Sequence, residues 1–402
     1  MTVAQAPPNS RTMRIGVDGT CWTNTRGYGR HARALLRALV RLQDPARYTF
    51  VVDSPDVEPM LPEGAAARVV TTSRSTTAAA AADGHRSARD LWRIGRALST
   101  VDVDVLLFPT VYSYVPVLSR AKKVVAIHDV IVETFPQLTL PRREARLLWR
   151  LKVGLARWQA DALVTLSEFS RRGIIDRFNV PPDRVFVVSE AADPIFRLLD
   201  DPRPGPGLAS LDLDGRRRSV VYVGGFGPHK NLGVLIEVFA RLARLPEFKD
   251  VRLIMVGEIQ REVFHSEFET LRHQVDTLAL AERIIFTGFL PDEDLVVLLN
   301  LATALVLPSL LEGFGLPALE AAACGCPVIA TTASPLPGLL GEGGLYVNPR
   351  ASDELEAALA RVLASPGLRR SMRAAGLARA GELTWEAAAR QMMTVIHGVL
   401  KR

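Results

Sequence analysis

The chain has 402 residues, 48% of them hydrophobic, and 49 Lys and Arg against 43 Asp and Glu give it a formal net charge of +6. That length exceeds one ordinary domain and suits two of about 200 residues, each with a core of its own. The basic balance favours an anionic partner such as a nucleotide, a phosphorylated lipid or a membrane surface, and the lack of any basic block interleaved with aromatics argues against nucleic acid.

Residues 1–12 are polar and Pro-containing without an apolar h-region, so they read as a disordered tail and not a signal peptide. Arg14 to Asp18 (RIGVD) reads as the first strand, and a helical pattern runs from Arg30 to Leu42. Between them lies Arg26-Gly27-Tyr28-Gly29-Arg30. Its glycines permit close backbone approach and its arginines suit phosphate, although such a turn needs glycine for geometry alone. Tyr48 to Val52 reads as a second strand and Val69 to Thr71 as a third. Thr72 to Gly84 is a low-complexity, small-residue stretch, read as a mobile inserted loop in preference to an acceptor loop.

Asp102 and Asp104 have the Asp-x-Asp spacing of a metal site but precede the strand Val105 to Phe108. They therefore sit at the amino edge of the sheet, whereas ligands of open α/β sheets gather at the carboxyl edge, and no metal site is assigned. The strand Lys123 to Ile127 ends in His128-Asp129 at that carboxyl edge. His128 there suits a hydrogen bond to a hydroxyl or the handling of its proton. Pro141 to Gln159 is a basic amphipathic helix, with Leu147, Leu151, Gly154, Leu155 and Trp158 at helical spacing and Arg142, Arg143, Arg146, Arg150 and Arg157 supplying charge. The expectation is a core helix with a solvated face, and peripheral contact with an anionic membrane is the alternative. Leu163 to Leu166 and Val185 to Val188 are the last strands of this half, flanking a helix Glu168 to Phe178 capped by Ser167.

Asp200 to Gly207 (DDPRPGPG) reads as the interdomain linker, and Val220 to Val223 starts a second alternating set. Its first turn, Gly224-Gly-Phe-Gly-Pro-His-Lys230-Asn231, leads into a helix Leu232 to Leu242, so glycines, a lysine and a helix N-terminus converge on an anion site. The strands Val251 to Val256 and Arg283 to Phe286 end at Gly257-Glu258 and Thr287-Gly288 on the same edge.

Pro308 to Thr332 (PSLLEGFGLPALEAAACGCPVIATT) is the most informative stretch. Ala304 to Leu307 and Val328 to Ala330 read as buried parallel strands around one short helix, roughly Pro317 to Cys324, stopped by Gly325. Its N-terminus faces the loop Glu312 to Leu316, whose free N–H groups and positive dipole end favour a phosphate. Glu312 and Glu320 can then accept from hydroxyls, so a diphosphate joined to a sugar is the natural ligand. Favourable placement at a dipole, worth about 0.3–1 kcal/mol, explains a lone glutamate but leaves the glycines, proline and flanking strands unexplained. Cys21, Cys324 and Cys326 are odd in number and lack paired spacing, which argues for a reducing compartment and against a disulfide frame or zinc site. The absence of a run of about 18 apolar residues predicts no membrane span and a cytoplasmic protein, with the inner membrane face as the alternative location.

The segment EGFGLPALEAAACGCPVIA resembles the E-x7-E motif of the retaining nucleotide-sugar glycosyltransferases of group 1, whose fold is called GT-B. The resemblance implies an α/β architecture of two doubly wound Rossmann-like domains facing across a cleft. On that template 13–200 is the acceptor-side domain, 201–384 binds the nucleotide sugar, and 385–402 is a terminal helix crossing back to the first domain. It puts Glu312 on the donor sugar, Glu320 on the ribose, and Gly313, Phe314, Gly315 and Leu316 around the donor. The turn at Gly224 is similar to the family's G-G-F-x-P-R-K-N variant, which assigns Lys230 to the diphosphate; Gly225 stands where many relatives carry an arginine, so the charge rests on Lys230 and backbone N–H groups. His128-Asp129 is similar to the family's His-Asp pair beside sugar and acceptor, which makes His128, Asp129 and Glu312 the catalytic candidates. Gly27 and Gly29 are similar to its Gly-rich loop, Gly257 and Gly288 fall near the nucleotide base, and Thr165 to Ser170 resembles a family landmark.

The expected reaction is metal-independent, cofactor-free transfer of a hexosyl unit from a GDP-, UDP-, ADP- or dTDP-sugar, with a mannosyl unit as what the resemblance first suggests. The acceptor is a hydroxyl of a glycan, a lipid-linked sugar or a small molecule, and the anomeric configuration is retained. A catalytically silent sugar- or partner-binding homologue, and a sugar-nucleotide epimerase or phosphorylase on the same fold, are the alternatives. They rank lower because Lys230, Glu312, Glu320 and His128 occur together.

Overall fold

Short apolar runs bounded by Gly, Pro and Asp become strands of two sheets, and every strand pairing described is parallel. The structure is a computed structural model that describes residues 12–24, 27–42, 44–73, 87–211, 213, 217–259 and 266–402. Arg26, nearly all of the expected tail and most of the Thr72 to Gly84 stretch lie outside the described residues.

The first sheet comprises β1 (Met13–Asp18), β2 (Ala46–Val52), β3 (Ala66–Val69), β4 (Val105–Phe108), β5 (Lys122–Ala126), β6 (Ala162–Thr165) and β7 (Val185–Val187), in the order β3-β2-β1-β4-β5-β6-β7. The second comprises β8 (Ser219–Val223), β9 (Arg252–Val256), β10 (Ile284–Gly288), β11 (Ala304–Leu307), β12 (Val328–Thr331) and β13 (Gly344–Val347), in the order β10-β9-β8-β11-β12-β13. Both sheets are Rossmann-like and doubly wound. Strand order reverses between β1 and β4 in the first and between β8 and β11 in the second, and such switch points open a crevice at the carboxyl edge.

Two strands depart from the sequence reading. The third runs Ala66–Val69, ahead of the expected Val69 to Thr71, because pairing of Thr49 to Val52 with Ala66 to Val69 sets its register and its own residues, AARV, carry little β-preference. The edge strand β13 was not anticipated: it opens on glycine inside a Gly-rich run, and its partner β12 supplies the order. Asp102 and Asp104 both pair with the Arg14 guanidinium, Asp104 at 3.1 Å.

The chain divides into two compact units. Unit 1 takes in residues 1–127, 150–164 and 389–402. Its core holds Ile15, Val17, Leu35, Leu39, Phe50 and Leu107, and the end of the helix Trp385–Leu400 packs in the same unit, where the Tyr48 hydroxyl lies 3.7 Å from Met393 Sδ and His397 3.2 Å from Asp44. Unit 2 takes in 128–149 and 165–388. The Pro/Gly-rich stretch Asp200 to Gly207 falls inside this unit, because the turn that follows plants Leu208, Leu211 and Leu213 in its core.

The helix Arg143–Gln159 overturns one expectation. It buries Val153 and Ala156 and exposes Leu147, Leu151 and Trp158, the stripe expected to face the core. Periodicity of 3.6 marks a two-faced helix, but here small residues fill the packed face and large apolar ones lie outside. No helix among the described residues is long and apolar enough to cross a membrane.

Candidate active site

The site forms within unit 2, from loops at the carboxyl edge on both sides of the β8–β11 switch point. Glycine lengthens that edge by one residue: Gly224 N–H donates to Val256 O (3.0 Å) and Gly257 N–H to Gly288 O (3.1 Å). A Cβ on Gly257 would stand 2.0 Å from Gly224 O, so only glycine permits this backbone approach. Gly225 is fixed from below, its carbonyl accepting from the Tyr222 hydroxyl at 2.5 Å, while Phe226 is buried against Phe268 and Phe286.

The chain then makes a tight turn, Pro228–Lys230, and Asn231 adopts a left-handed φ of 59° before the helix Leu232–Ala243. Asn231 Nδ2 donates to Pro308 O (3.1 Å) and Pro349 O (2.8 Å), and Leu310 N–H donates to His229 O (2.9 Å). These bonds staple the β8 loop to the β11 loop and bring Lys230 onto Glu312, Nζ to Oε1 at 2.7 Å. Ser309 Oγ donates to the same oxygen at 2.7 Å. Burial pushes the Glu312 carboxyl up, but the Lys230 ammonium and the Ser309 hydroxyl outweigh it, and the net shift is downward. Lys230, which the resemblance assigns to the diphosphate, thus has a carboxylate partner within the protein.

Burial and the adjacent Lys230 push the His229 imidazole down to about 3. The ring is neutral at pH 7, and its buried Nδ1 has no hydrogen-bond partner.

Beyond Glu312, Gly313 touches the end of β5. Its carbonyl accepts from Ser170 Oγ (2.8 Å) and Ser167 Oγ (3.2 Å), and a Cβ on it would meet Asp129 Cβ at 2.6 Å. Ser167 also caps its own helix, accepting from Ser170 N–H at 3.0 Å. Gly315 has a left-handed φ of 87° and opens the helix Leu316–Ala323 with no side-chain cap. Among the described hydrogen bonds the N–H groups of Gly313, Phe314, Gly315 and Leu316 have no acceptor, and they surround a positive dipole end. Phe314 is a core side chain, so only its N–H is available to a ligand. Glu320, one turn into this helix, is 3% exposed.

His128 is buried, and its carbonyl accepts from Thr165 Oγ1 at 3.0 Å. Asp129 caps the next turn by accepting from Ile131 N–H at 2.9 Å. Burial, with Glu133 and Glu312 adding to it, pushes its carboxyl up to about 6, against the opposing pull of Ile131 N–H and Lys230. The two neighbouring carboxyls are thereby shifted in opposite directions, Glu312 down and Asp129 up.

Unit 2 therefore brings together His128, Asp129, Lys230, Glu312, Gly313 and the start of the helix bearing Glu320, with the strand-end glycines Gly225, Gly257 and Gly288 on the same sheet edge. Gly27 and Gly29 lie in unit 1 at the start of the helix Gly27–Arg41, where a Cβ on Gly29 would strike Asn24 O at 2.1 Å and one on Gly27 would meet nothing within 4 Å. Sequence reasoning passed over His229, Ser309 and Asn231. His229 and Asn231 flank Lys230, but their part depends on a partner loop about 80 residues away, and Ser309 donates to Glu312 three positions on. Among the described residues no group of three His, Cys, Asp or Glu is arranged to hold a metal ion.

The family model for glycosyl transferases group 1 matches residues 208–379, and that for glycosyltransferase family 4 matches residues 25–195. The chain is 30% identical over 265 residues to O-antigen chain mannosyltransferase B of Escherichia coli, covering 66% of this chain and 67% of that protein. It spans only about a quarter of the length of longer curated mannosyltransferases that also match. Among solved structures it is similar to sucrose-phosphate synthase from Thermosynechococcus elongatus, with a TM-score of 0.74 at 20% identity over 97% of this chain and 99% of the other. It is also similar to Anabaena Alr3699/HepE in complex with UDP-glucose, with a TM-score of 0.71 at 17% identity over 96% and 100%. These likenesses identify the fold as GT-B.

Proposed function

We propose, because the chain belongs to the group 1 glycosyltransferases, that it transfers a hexosyl unit from a nucleotide diphosphate sugar to a hydroxyl acceptor with retention at the anomeric carbon. The observation that carries this reading is the Lys230–Glu312–Ser309 cluster beside the unsatisfied N–H groups of Gly313 to Leu316, at a switch point of a doubly wound sheet. Cation and N–H groups converge where a leaving diphosphate gathers charge, and preorganised donors of this kind lower the barrier most when charge develops against them. No metal is required in this scheme, since Lys230 and the dipole end supply the positive potential.

Glu312, held ionised by Lys230, positions the sugar hydroxyls, and Glu320 receives the ribose hydroxyls. Gly225, Gly257 and Gly288 let the nucleotide lie close to the sheet edge. His128 and Asp129 stand beside the transferring sugar, where Asp129, poised near neutrality, can hold or release a proton of the acceptor hydroxyl. A mannosyl donor is favoured by the name of the 30% identical relative, and a nucleotide sugar by the UDP-glucose complex of a structural neighbour. A glycan, a lipid-linked sugar or a small molecule is the acceptor.

Thermal shift with UDP-, GDP-, ADP- and dTDP-sugars tests the reading. Ligand at a hundredfold excess over Kd stabilises the native state by about 2.7 kcal/mol, so a true donor raises Tm visibly. One nucleotide class is expected to act, in the presence of EDTA as in its absence, and Lys230→Ala and Glu320→Ala each remove the increment measured against their own baselines. NMR of the product's anomeric proton reads the stereochemistry. No shift with any donor overturns the assignment and leaves a silent homologue as the account.

A further inference from the structure

The helix Arg143–Gln159 carries two solvent-facing rows that the donor site does not use. At 100° per residue, Leu147, Leu151 and Trp158 fall on one line, opposite the packed residues Val153 and Ala156. They are 68%, 58% and 77% exposed, and Leu148 beside them is 60% exposed. Along the flank run Arg143, Arg150 and Arg157, seven positions apart. Arg143 and Arg150 are exposed and form no ion pair among the described residues, whereas Arg146 is bound to the carbonyls of Leu140 and Pro141 and Lys152 to that of Tyr112. The helix has a single acid, Glu144, against five basic residues. At its far end Trp158 shares a shallow depression with Leu118, 92% exposed, and with Arg120 and Lys123.

Large apolar side chains arranged in a stripe and left in water mark a binding surface. The stripe is one helix wide and convex, with cations beside it and almost no anions. A protein interface of that shape would need a groove lined with carboxylates, whereas a bilayer offers an apolar boundary under a layer of phosphates. We infer that this helix lies flat on an anionic lipid surface, with Leu147, Leu151 and Trp158 entering the acyl boundary and Arg143 and Arg150 meeting lipid phosphates. The inference is independent of the donor reading, since none of these residues belongs to the candidate site.

Flotation of the full chain with vesicles tests it, comparing phosphatidylcholine alone with mixtures containing phosphatidylglycerol. The chain is expected to float with the anionic vesicles only, less so as salt rises, with a blue shift of tryptophan emission. Leu147→Ser/Leu151→Ser/Trp158→Ser should lower the vesicle partition by roughly tenfold or more, and Arg143→Gln/Arg150→Gln should remove most of the anionic preference. All five positions are exposed, and an unchanged Tm for both variants verifies that folding is intact. Failure of the parent chain to float with anionic vesicles, or equal flotation of the triple variant, overturns the inference. So does a parent that sediments as a dimer without binding vesicles while the triple variant is a monomer, which would assign the stripe to a second copy.

Discussion

Asp129 and Glu312 are acids of one neighbourhood with opposite fates, and the difference lies in their partners. Glu312 has an ammonium and a hydroxyl on one oxygen, while Asp129 has one backbone N–H and two acidic neighbours. A carboxyl whose native pKa is raised from 3.8 to about 6 disfavours its charged form in the fold, so the native state loses stability as pH climbs through that window and regains it below. At about 1.4 kcal/mol per unit the cost above pH 6 is up to about 3 kcal/mol. Asp129→Asn is expected to abolish it: denaturant unfolding of the parent should weaken between pH 4 and pH 7 relative to the variant. Equal pH dependence would refute the raised pKa. Lys230 and Glu312 were each legible from sequence, but their bond was not, because it joins residues 82 positions apart and depends on Asn231 and His229 tying two loops together.

Gly313, in the loop between β11 and the helix Leu316–Ala323, and Gly338, beyond β12, differ in what they tolerate. Gly313 has no room: a methyl group would press on Asp129 and strain the Ser167 and Ser170 bonds to its carbonyl. Gly338, in the short helix Leu336–Leu340, has nothing within 4 Å. Gly313→Ala is therefore expected to cost about 1–3 kcal/mol by overpacking and to abolish nucleotide-sugar stabilisation, whereas Gly338→Ala should be neutral or stabilise by up to about 1 kcal/mol. Chemical denaturation of both, with and without donor, checks the contrast, and a Gly313→Ala protein that still responds to donor would show that the loop's fit to Asp129 is immaterial. Elements of this kind were readable because the strand Ala304–Leu307, Pro317 near the helix start and Gly325 just past its end are written in local chemistry. The outward face of Arg143–Gln159 was not, since a periodic pattern names two faces and only tertiary packing chooses the inner one.

At the scale of the molecule, the division into units is not the division of the sequence at its Pro/Gly-rich stretch. Composition finds a break in regular structure at Asp200 to Gly207, but the leucines after it belong to the second core. Likewise the segment from His128 to Trp149 groups with residues that follow it by more than a hundred positions, through contacts such as Gly313 against Asp129. The consequence is that His128, Asp129, Lys230, Glu312 and Glu320 all belong to unit 2, while Ile396, fully buried in the terminal helix, belongs to unit 1. Ile396→Ala and Leu319→Ala delete comparable volumes from buried sites, and each should cost about 2–5 kcal/mol. Their effects on donor binding should part: the Ile396 variant keeps the nucleotide-sugar increment in Tm, and the Leu319 variant, whose cavity lies under the helix of Glu320, loses most of it. Loss of the increment in the Ile396 variant would mean that donor binding draws on both units, and that a site complete within the second is the wrong description.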